Sequence, residues 1–230
     1  MTAKKKKQTI NMTKIKVYCI LLLLPVAITV YAFIFVIWKD IYQVPLIERL
    51  IHERQAAQVQ QNFDIPIPEQ YIPIYMAAGE RYNVPWTLLA AHHRVETRFS
   101  TMKTLVSPAG AEGHMQFMPC TFVGWSHPTC SGLGQGDIPV NDKTNPAVIA
   151  RYGGYGVDAN GDGVADPYDM EDAIYSAANY LAKAGAANGE LKKAILNYNK
   201  SEQYVQDVYG FYEQYTAQQA ALEQLVAQSQ

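Results

Sequence analysis

The chain has 230 residues, 49% of them hydrophobic, which is enough for one well-buried domain with appendages but not for two domains of ordinary size. Its net charge of −2 conceals an asymmetry: residues 1 to 16 carry six lysines and no acid, leaving 13 basic against 21 acidic residues, a balance of −8, in the remainder. An acidic body argues against nucleic acid as a partner.

The basic segment, residues 1–16, holds Lys4, Lys5, Lys6, Lys7, Lys14 and Lys16. Val17 to Trp38 follow as twenty-two residues without a charge, about the length a helix needs to cross roughly 30 Å of hydrocarbon. A single transmembrane helix over 17–38 is expected. The lysines before it place the N-terminus in the cytoplasm and everything after Lys39 outside, at the cell membrane. The competing reading is a cleaved signal peptide, since Val30-Tyr31-Ala32 resembles a small-residue cleavage site, although the apolar run continues for six residues past it.

Residues 39–70 read as an extracytoplasmic spacer. Leu46, Ile47, Leu50 and Ile51 fall at helical spacing and predict a short amphipathic helix, and Pro66 and Pro68 then enforce an extended connection. A domain boundary near residue 70 follows. The body, 71–217, carries helical signals, so the fold class is mainly α.

Pro73 suits a first helical turn, and Ile74, Ala77, Ala78 and Tyr82 trace one face before Asn83 ends the element. A second helix begins after Pro85, with Leu88, Leu89, His92, Val95, Glu96 and Phe99 on one broad stripe and Arg94 and Arg98 on the opposite side. Glu96 thus has apolar neighbours. Burial disfavours a charged carboxylate and raises its pKa, as a general acid near neutral pH requires; on the helix alone, a solvated surface charge is the other reading.

Ser107-Pro108-Ala109-Gly110-Ala111-Glu112-Gly113 is turn-rich, and its glycines let the backbone approach whatever it touches. His114-Met115-Gln116-Phe117-Met118-Pro119 then sets the amide of Gln116 between apolar side chains, a mixture suited to a sugar-binding cleft. Cys120 and Cys130 bracket a segment with Trp125, His127 and Pro128, while the third cysteine, Cys19, lies in the apolar span. Outside the membrane the pair forms either a short-loop disulfide or two free thiols. Zinc is not expected, because His92, His93, His114 and His127 show no repeated ligand spacing.

Residues 158–169, DANGDGVADPYD, have the spacing of an EF-hand loop: Asp158, Asn160 and Asp162 at positions 1, 3 and 5, Gly163 at the turn, Val164 offering its carbonyl at 7, Asp166 at 9 and Asp169 at 12. The expected ion is Ca2+ in a structural role, with affinity lowered by aspartate at position 12; an Asx-rich turn without an ion is the alternative. Met170 to Ala184 reads as a helix with Ile174, Ala177, Ala178 and Leu181 inward. Leu191 to Tyr198 begins another, Asn199 follows, and Tyr204, Val205 and Val208 fit the next. The tail, 218–230, is Gln- and Ala-rich and helical in propensity. No internal repeat, phosphate-binding Gly loop or Ser-His-Asp spacing is present.

Taken in order, Val95-Glu96-Thr97 with Phe99, the run from Ser107 to Pro119, the calcium-like loop and the segment from Asp172 to Leu181 resemble the lytic murein transglycosylases, the soluble-lytic-transglycosylase group with a goose-lysozyme-like catalytic domain. The likeness covers roughly residues 72 to 215. It implies a lysozyme-like helical domain behind the transmembrane helix, with Glu96 as the one catalytic acid and base. It also implies Ser107, Gly113, Met115, Gln116, Tyr198 and Asn199 along the glycan, and a structural calcium loop as in the membrane-bound B-type branch. Two departures are visible. Glu112 stands where the family commonly has methionine, as a surface substitution or a second carboxylate near the cleft, and Ser201 replaces a glycine. The implied activity is cleavage of the β-1,4 bond between N-acetylmuramic acid and N-acetylglucosamine with formation of 1,6-anhydro ends. The alternatives are a hydrolytic muramidase and a non-catalytic peptidoglycan-binding scaffold of a secretion or conjugation apparatus. Peptidoglycan strands are the expected partner, with cell-wall, secretion or conjugation machinery beside them.

Overall fold

The computed structural model describes residues 12–42 and 63–229, with positions 50, 51, 54, 57 and 58 between them. It falls into two units, residues 1–54 and 55–230.

In the first unit α1 runs Met12–Tyr42 and contains Pro25. Its side chains are described over 21–37, where every one is exposed and none is charged. The hydroxyl of Thr29 turns back to the carbonyl of Val26, 2.9 Å away, so the polar group is satisfied within the helix. Among the described residues no helix is long and apolar enough to cross a membrane; the expected span, 17–38, extends past the described side chains at both ends. Residues 1–11 also lie outside the described residues, and of the expected helix around 46–51 only positions 50 and 51 are described, both helical.

The second unit is helical, with no β-strand among the described residues beyond isolated bridges from Glu112 to Val106 and Phe117. A 3-10 turn, Glu69–Tyr71, leads into α2, Ile72–Tyr82, with Pro73 in its first turn, where the missing N–H costs nothing. Asn83, left-handed at φ 53°, ends it as the sequence predicts. α3, Trp86–Thr97, is the central helix: Leu88, Leu89, Ala90 and Ala91 are fully buried, so consecutive positions on all its faces are packed. Short helices follow at Pro119–Val123 (α4), Val140–Lys143 (α5) and Pro146–Tyr152 (α6). α7, Met170–Lys183, begins at Asp169, and its Ala173, Ala177 and Ala178 allow close packing against α2. After a 3-10 turn at Ala186–Asn188 come α8, Leu191–Tyr198, and α9, Glu202–Ala217, which packs along α3.

Three expectations are corrected here. Arg94 is not on a solvent face. It is buried, forms a two-pronged bond to Asp64 at 2.8 and 2.7 Å, and lies 4.8 Å from the Phe211 ring. A helix enclosed on every side has no polar stripe to spare, so its arginine is paired. The packed body also begins before residue 71, since Phe63 meets Tyr215 edge-on at 5.0 Å and Ile67 is buried in the same core. The tail, finally, is helical as its propensity predicts (α10, Gln219–Ser229) but belongs to the packed body, with Leu222, Leu225 and Val226 buried and Glu223 accepting from the indole N–H of Trp86 at 2.8 Å.

Candidate active site

Glu96 is the penultimate residue of α3, and the chain turns sharply just beyond it. Arg98, Phe99 and Ser100 are all left-handed, at φ 53°, 57° and 64°. Such backbone is unfavourable for residues other than glycine and persists where surrounding bonds over-determine it. Here Arg98 N–H donates to Arg94, Phe99 N–H to His93, and Ser100 N–H to the Thr97 hydroxyl. The Thr97 hydroxyl in turn donates to the His114 carbonyl at 2.8 Å. Thr97 thereby ties the end of α3 to the segment that the sequence assigns to the groove.

A chain of bonds reinforces that tie. His114 Nε2 lies 2.8 Å from the Tyr168 carbonyl, which can only accept, so this nitrogen carries the proton. Ser100 then donates to His114 Nδ1 at 2.7 Å, His93 Nε2 donates to Ser100 at 2.7 Å, and Tyr75 donates to His93 Nδ1 at 2.6 Å. Burial keeps His93 neutral by holding its pKa at about 3, and lowers that of His114 as well. The backbone N–H of His114 also donates to Pro167 at 3.0 Å. At Gly113, φ +81°, an added Cβ would stand 2.0 Å from the Pro167 carbonyl oxygen, so only glycine allows this contact. Gly113→Ala is expected to cost about 2–3 kcal/mol in thermal or urea denaturation; unchanged stability would contradict this packing.

Glu96 itself is half-buried. Burial lifts its pKa from 4.5 to about 7, and a hydrogen bond donated by Tyr204 to Oε1 pulls the other way. Tyr204 comes from α9, its ring is buried, and its oxygen lies 2.9 Å from Nδ1 of the fully buried His92. Tyr198, at the end of α8, packs its ring 4.8 Å from that of His92 and donates to the Met115 carbonyl at 2.7 Å. Burial, and secondly the charge of Glu96, push both tyrosines well above the ordinary phenol range, so both stay protonated. A carboxyl with a pKa near neutrality can both give and take a proton at physiological pH.

The other candidates divide. Met115 buries its side chain, and its carbonyl is taken by Tyr198. Gln116, left-handed at φ 49°, uses its NH2 group on the carbonyls of Leu105 and Gly113 at 2.9 and 2.8 Å, which leaves its oxygen as the group to offer a ligand. Ser107 accepts from Ala111 N–H at 2.9 Å within the turn. Asn199 is exposed beyond the end of α8. Glu112 is held by Lys143 at 2.7 Å, and the shift of Glu96 draws on burial and Tyr204, not on a second carboxylate. A disulfide joins Cys120 to Cys130 with Cα atoms 5.6 Å apart. A cavity of about 690 Å3 opens at Gly79, Asn83, Trp86, Ala186 and Leu191, and none of the candidate site residues lines it.

In the 158–169 loop the oxygens expected on an ion accept backbone N–H groups: Asp158 from Gly161 and Gly163, Asn160 from Asp162, Asp162 from Val164, and Asp166 from Tyr168. Asp169 caps α7, accepting from Glu171 and Asp172 at 2.9 and 3.1 Å. The fully buried Asp172, which the spacing did not single out, accepts from Ala159 and Asp166 at 2.7 and 2.9 Å and anchors the loop to α7. Hard oxygen donors suit Ca2+, yet among the described residues no three His, Cys, Asp or Glu side chains are grouped closely enough to hold a metal.

Residues 148–193 match the family described as Transglycosylase SLT domain, in agreement with the resemblance to lytic transglycosylases. That stretch holds the 158–169 loop, α7 and the start of α8, and lies wholly C-terminal to Glu96. A Bacillus subtilis (strain 168) protein named L-Ala--D-Glu endopeptidase is 27% identical over 141 residues, covering 61% of this chain. The chain spans 40% of that relative's length. No solved structure matches.

Proposed function

We propose that the chain is a membrane-anchored peptidoglycan lytic transglycosylase with Glu96 as its one acid and base. The observation that carries this reading is the half-buried carboxyl at the end of α3 with one oxygen engaged by Tyr204, a setting whose burial raises its pKa toward neutrality. Protonated Glu96 gives its proton to the glycosidic oxygen as the bond from C1 of N-acetylmuramic acid breaks. The resulting carboxylate takes the proton of the C6 hydroxyl, whose oxygen closes on C1 to form the 1,6-anhydro ring. Each proton leaves and returns to one group, so no second carboxylate is required, whereas hydrolytic glycosidases ordinarily use two. Tyr198, Asn199 and the side-chain oxygen of Gln116 orient the sugar, with Ser107 at the start of the turn, while the buried Gly113 and Met115 hold the groove segment from behind.

The side chains of α1 over 21–37, all uncharged and exposed, support its role as the anchor. The catalytic unit then works on the outer face of the membrane, close to wall growth or to secretion or conjugation machinery. Peptide cleavage, which the name of the Bacillus subtilis relative suggests, would not use Cys120 or Cys130 as its nucleophile, since the two are tied to each other. Purified full-length protein in detergent is expected to clear a suspension of purified peptidoglycan and to release muropeptides with uncut stem peptides. Release of free peptides without glycan cleavage would contradict the proposal.

The 158–169 loop is the proposed site for a structural Ca2+, held by Asp158, Asn160, Asp162, Asp166, Asp169 and the Val164 carbonyl. Calcium is expected to raise the melting temperature, and Asp158→Ala to abolish the rise. A melting temperature indifferent to calcium in the wild-type protein would remove the ion from this picture.

A further inference from the structure

Glu96 has two oxygens, and an acid that must meet a glycosidic oxygen needs its proton on the one that faces the ligand. Oε1 is engaged by Tyr204. Which way Tyr204 points its single proton depends on the group behind it, His92, whose Nδ1 lies 2.9 Å from the Tyr204 oxygen. His92 is fully buried, and its Nε2 has no partner. If Nε2 carried the proton, a buried N–H would be orphaned and Nδ1 would compete with Glu96 for the Tyr204 proton. If Nδ1 carries it, His92 donates to Tyr204, Tyr204 donates to Glu96, and only a weak acceptor is left bare.

We propose that His92 is a positioning residue, held as the Nδ1–H tautomer, that aims the Tyr204 hydroxyl at Oε1 of Glu96 and so keeps the acidic proton on Oε2. Four features bear on this. The ring of His92 is fixed from two sides, 4.8 Å from Tyr198 and 5.8 Å from Tyr204. Burial holds it neutral, with a pKa of about 3, so the two tautomers are the states to compare near neutral pH. The titratable groups that act on Glu96 and on its phenol partners are Tyr198 from α8, Tyr204 from α9 and Tyr180 from α7, all protonated near neutral pH. The order of donors also explains how one carboxyl keeps distinct oxygens: the inner one always accepts from Tyr204, and the outer one gains and loses the proton.

The inference rests on the reading of Glu96 as the acid, but its first test does not use activity. Nitrogen-15 NMR of the histidine-labelled full-length protein in detergent micelles is expected to show His92 protonated at Nδ1 near neutral pH. A signal of the Nε2–H tautomer would overturn the proposal whatever the enzyme does. Two variants supply the second test. Asn at position 92 can set an amide N–H near the place of Nδ1, whereas Leu cannot. His92→Leu is expected to lower kcat about three- to tenfold with KM unchanged and to move the alkaline limb of the pH profile upward, because the Tyr204 bond to the ionised carboxyl weakens. His92→Asn is expected to restore most of kcat and the original limb. Equal loss in both variants with an unmoved limb would make His92 only a core residue. Absence of glycan cleavage in the wild-type protein with the Nδ1–H tautomer present would instead count against the proposed function.

Discussion

Glu96→Gln is expected to lower peptidoglycan lysis by roughly three orders of magnitude while leaving binding to purified peptidoglycan nearly unchanged. Gln keeps an oxygen for the bond from Tyr204 and fills the same space, so the loss is confined to proton transfer. The same variant makes a prediction about stability. Wild-type Glu96 ionises near 4.5 when unfolded and at about 7 when folded. Between those values the unfolded chain has released a proton that the folded one retains, so this group's contribution falls as pH rises through the window and stays low above it. Glutamine does not titrate. Relative to wild type, Glu96→Gln should therefore gain stability from about pH 5 to pH 7 and remain more stable at pH 8, by on the order of 1–3 kcal/mol. A variant that lyses peptidoglycan like wild type, or that loses stability at pH 8, would contradict the placement of a buried acid here.

Tyr204→Phe is the second large effect. The hydroxyl stabilises the carboxylate more than the carboxyl, and it holds the pKa of Glu96 below what burial alone would impose. Without it the folded pKa rises, so the alkaline limb of kcat/KM moves to higher pH. The carboxylate that must take the C6 proton also loses a charge-assisted bond, and kcat is expected to fall about 10- to 100-fold. An unmoved limb with intact kcat would mean that the phenol only fills space.

These two residues mark where sequence reading reached and where it stopped. Glu96 was legible because apolar helical neighbours, a Gly-rich turn and the run from Ser107 to Pro119 lie close together in the chain. Tyr204 was read only as fitting its helix, and His92 only as part of a stripe. Their bonds join residues 108 and 112 positions apart, and no local periodicity carries such a pairing. The helices were legible through period and caps: Pro73 suits the first turn of α2 and Asn83 closes it. Arg94 was misplaced because α3 is buried on every face from Trp86 to Arg94, which makes a two-sided pattern the wrong template there. Asp169 was read by EF-hand spacing alone, and its second role went unread although a carboxylate directly before a helix has two N–H groups to cap; Asp172, which also faces the loop, lies beyond the twelve positions of that spacing. Phe63 and the α10 leucines were missed because proline- and glutamine-rich flanks hide a few buried contacts among polar residues.

The measurement that bears most directly on the single-carboxylate mechanism is mass spectrometry of the products released from purified peptidoglycan by the full-length protein. Transglycosylation predicts muropeptides ending in 1,6-anhydro-N-acetylmuramic acid, lighter by one water than the hydrolytic products and resistant to borohydride reduction. Reducing-end N-acetylmuramic acid with no anhydro product would contradict it and would require a second catalytic group beside Glu96.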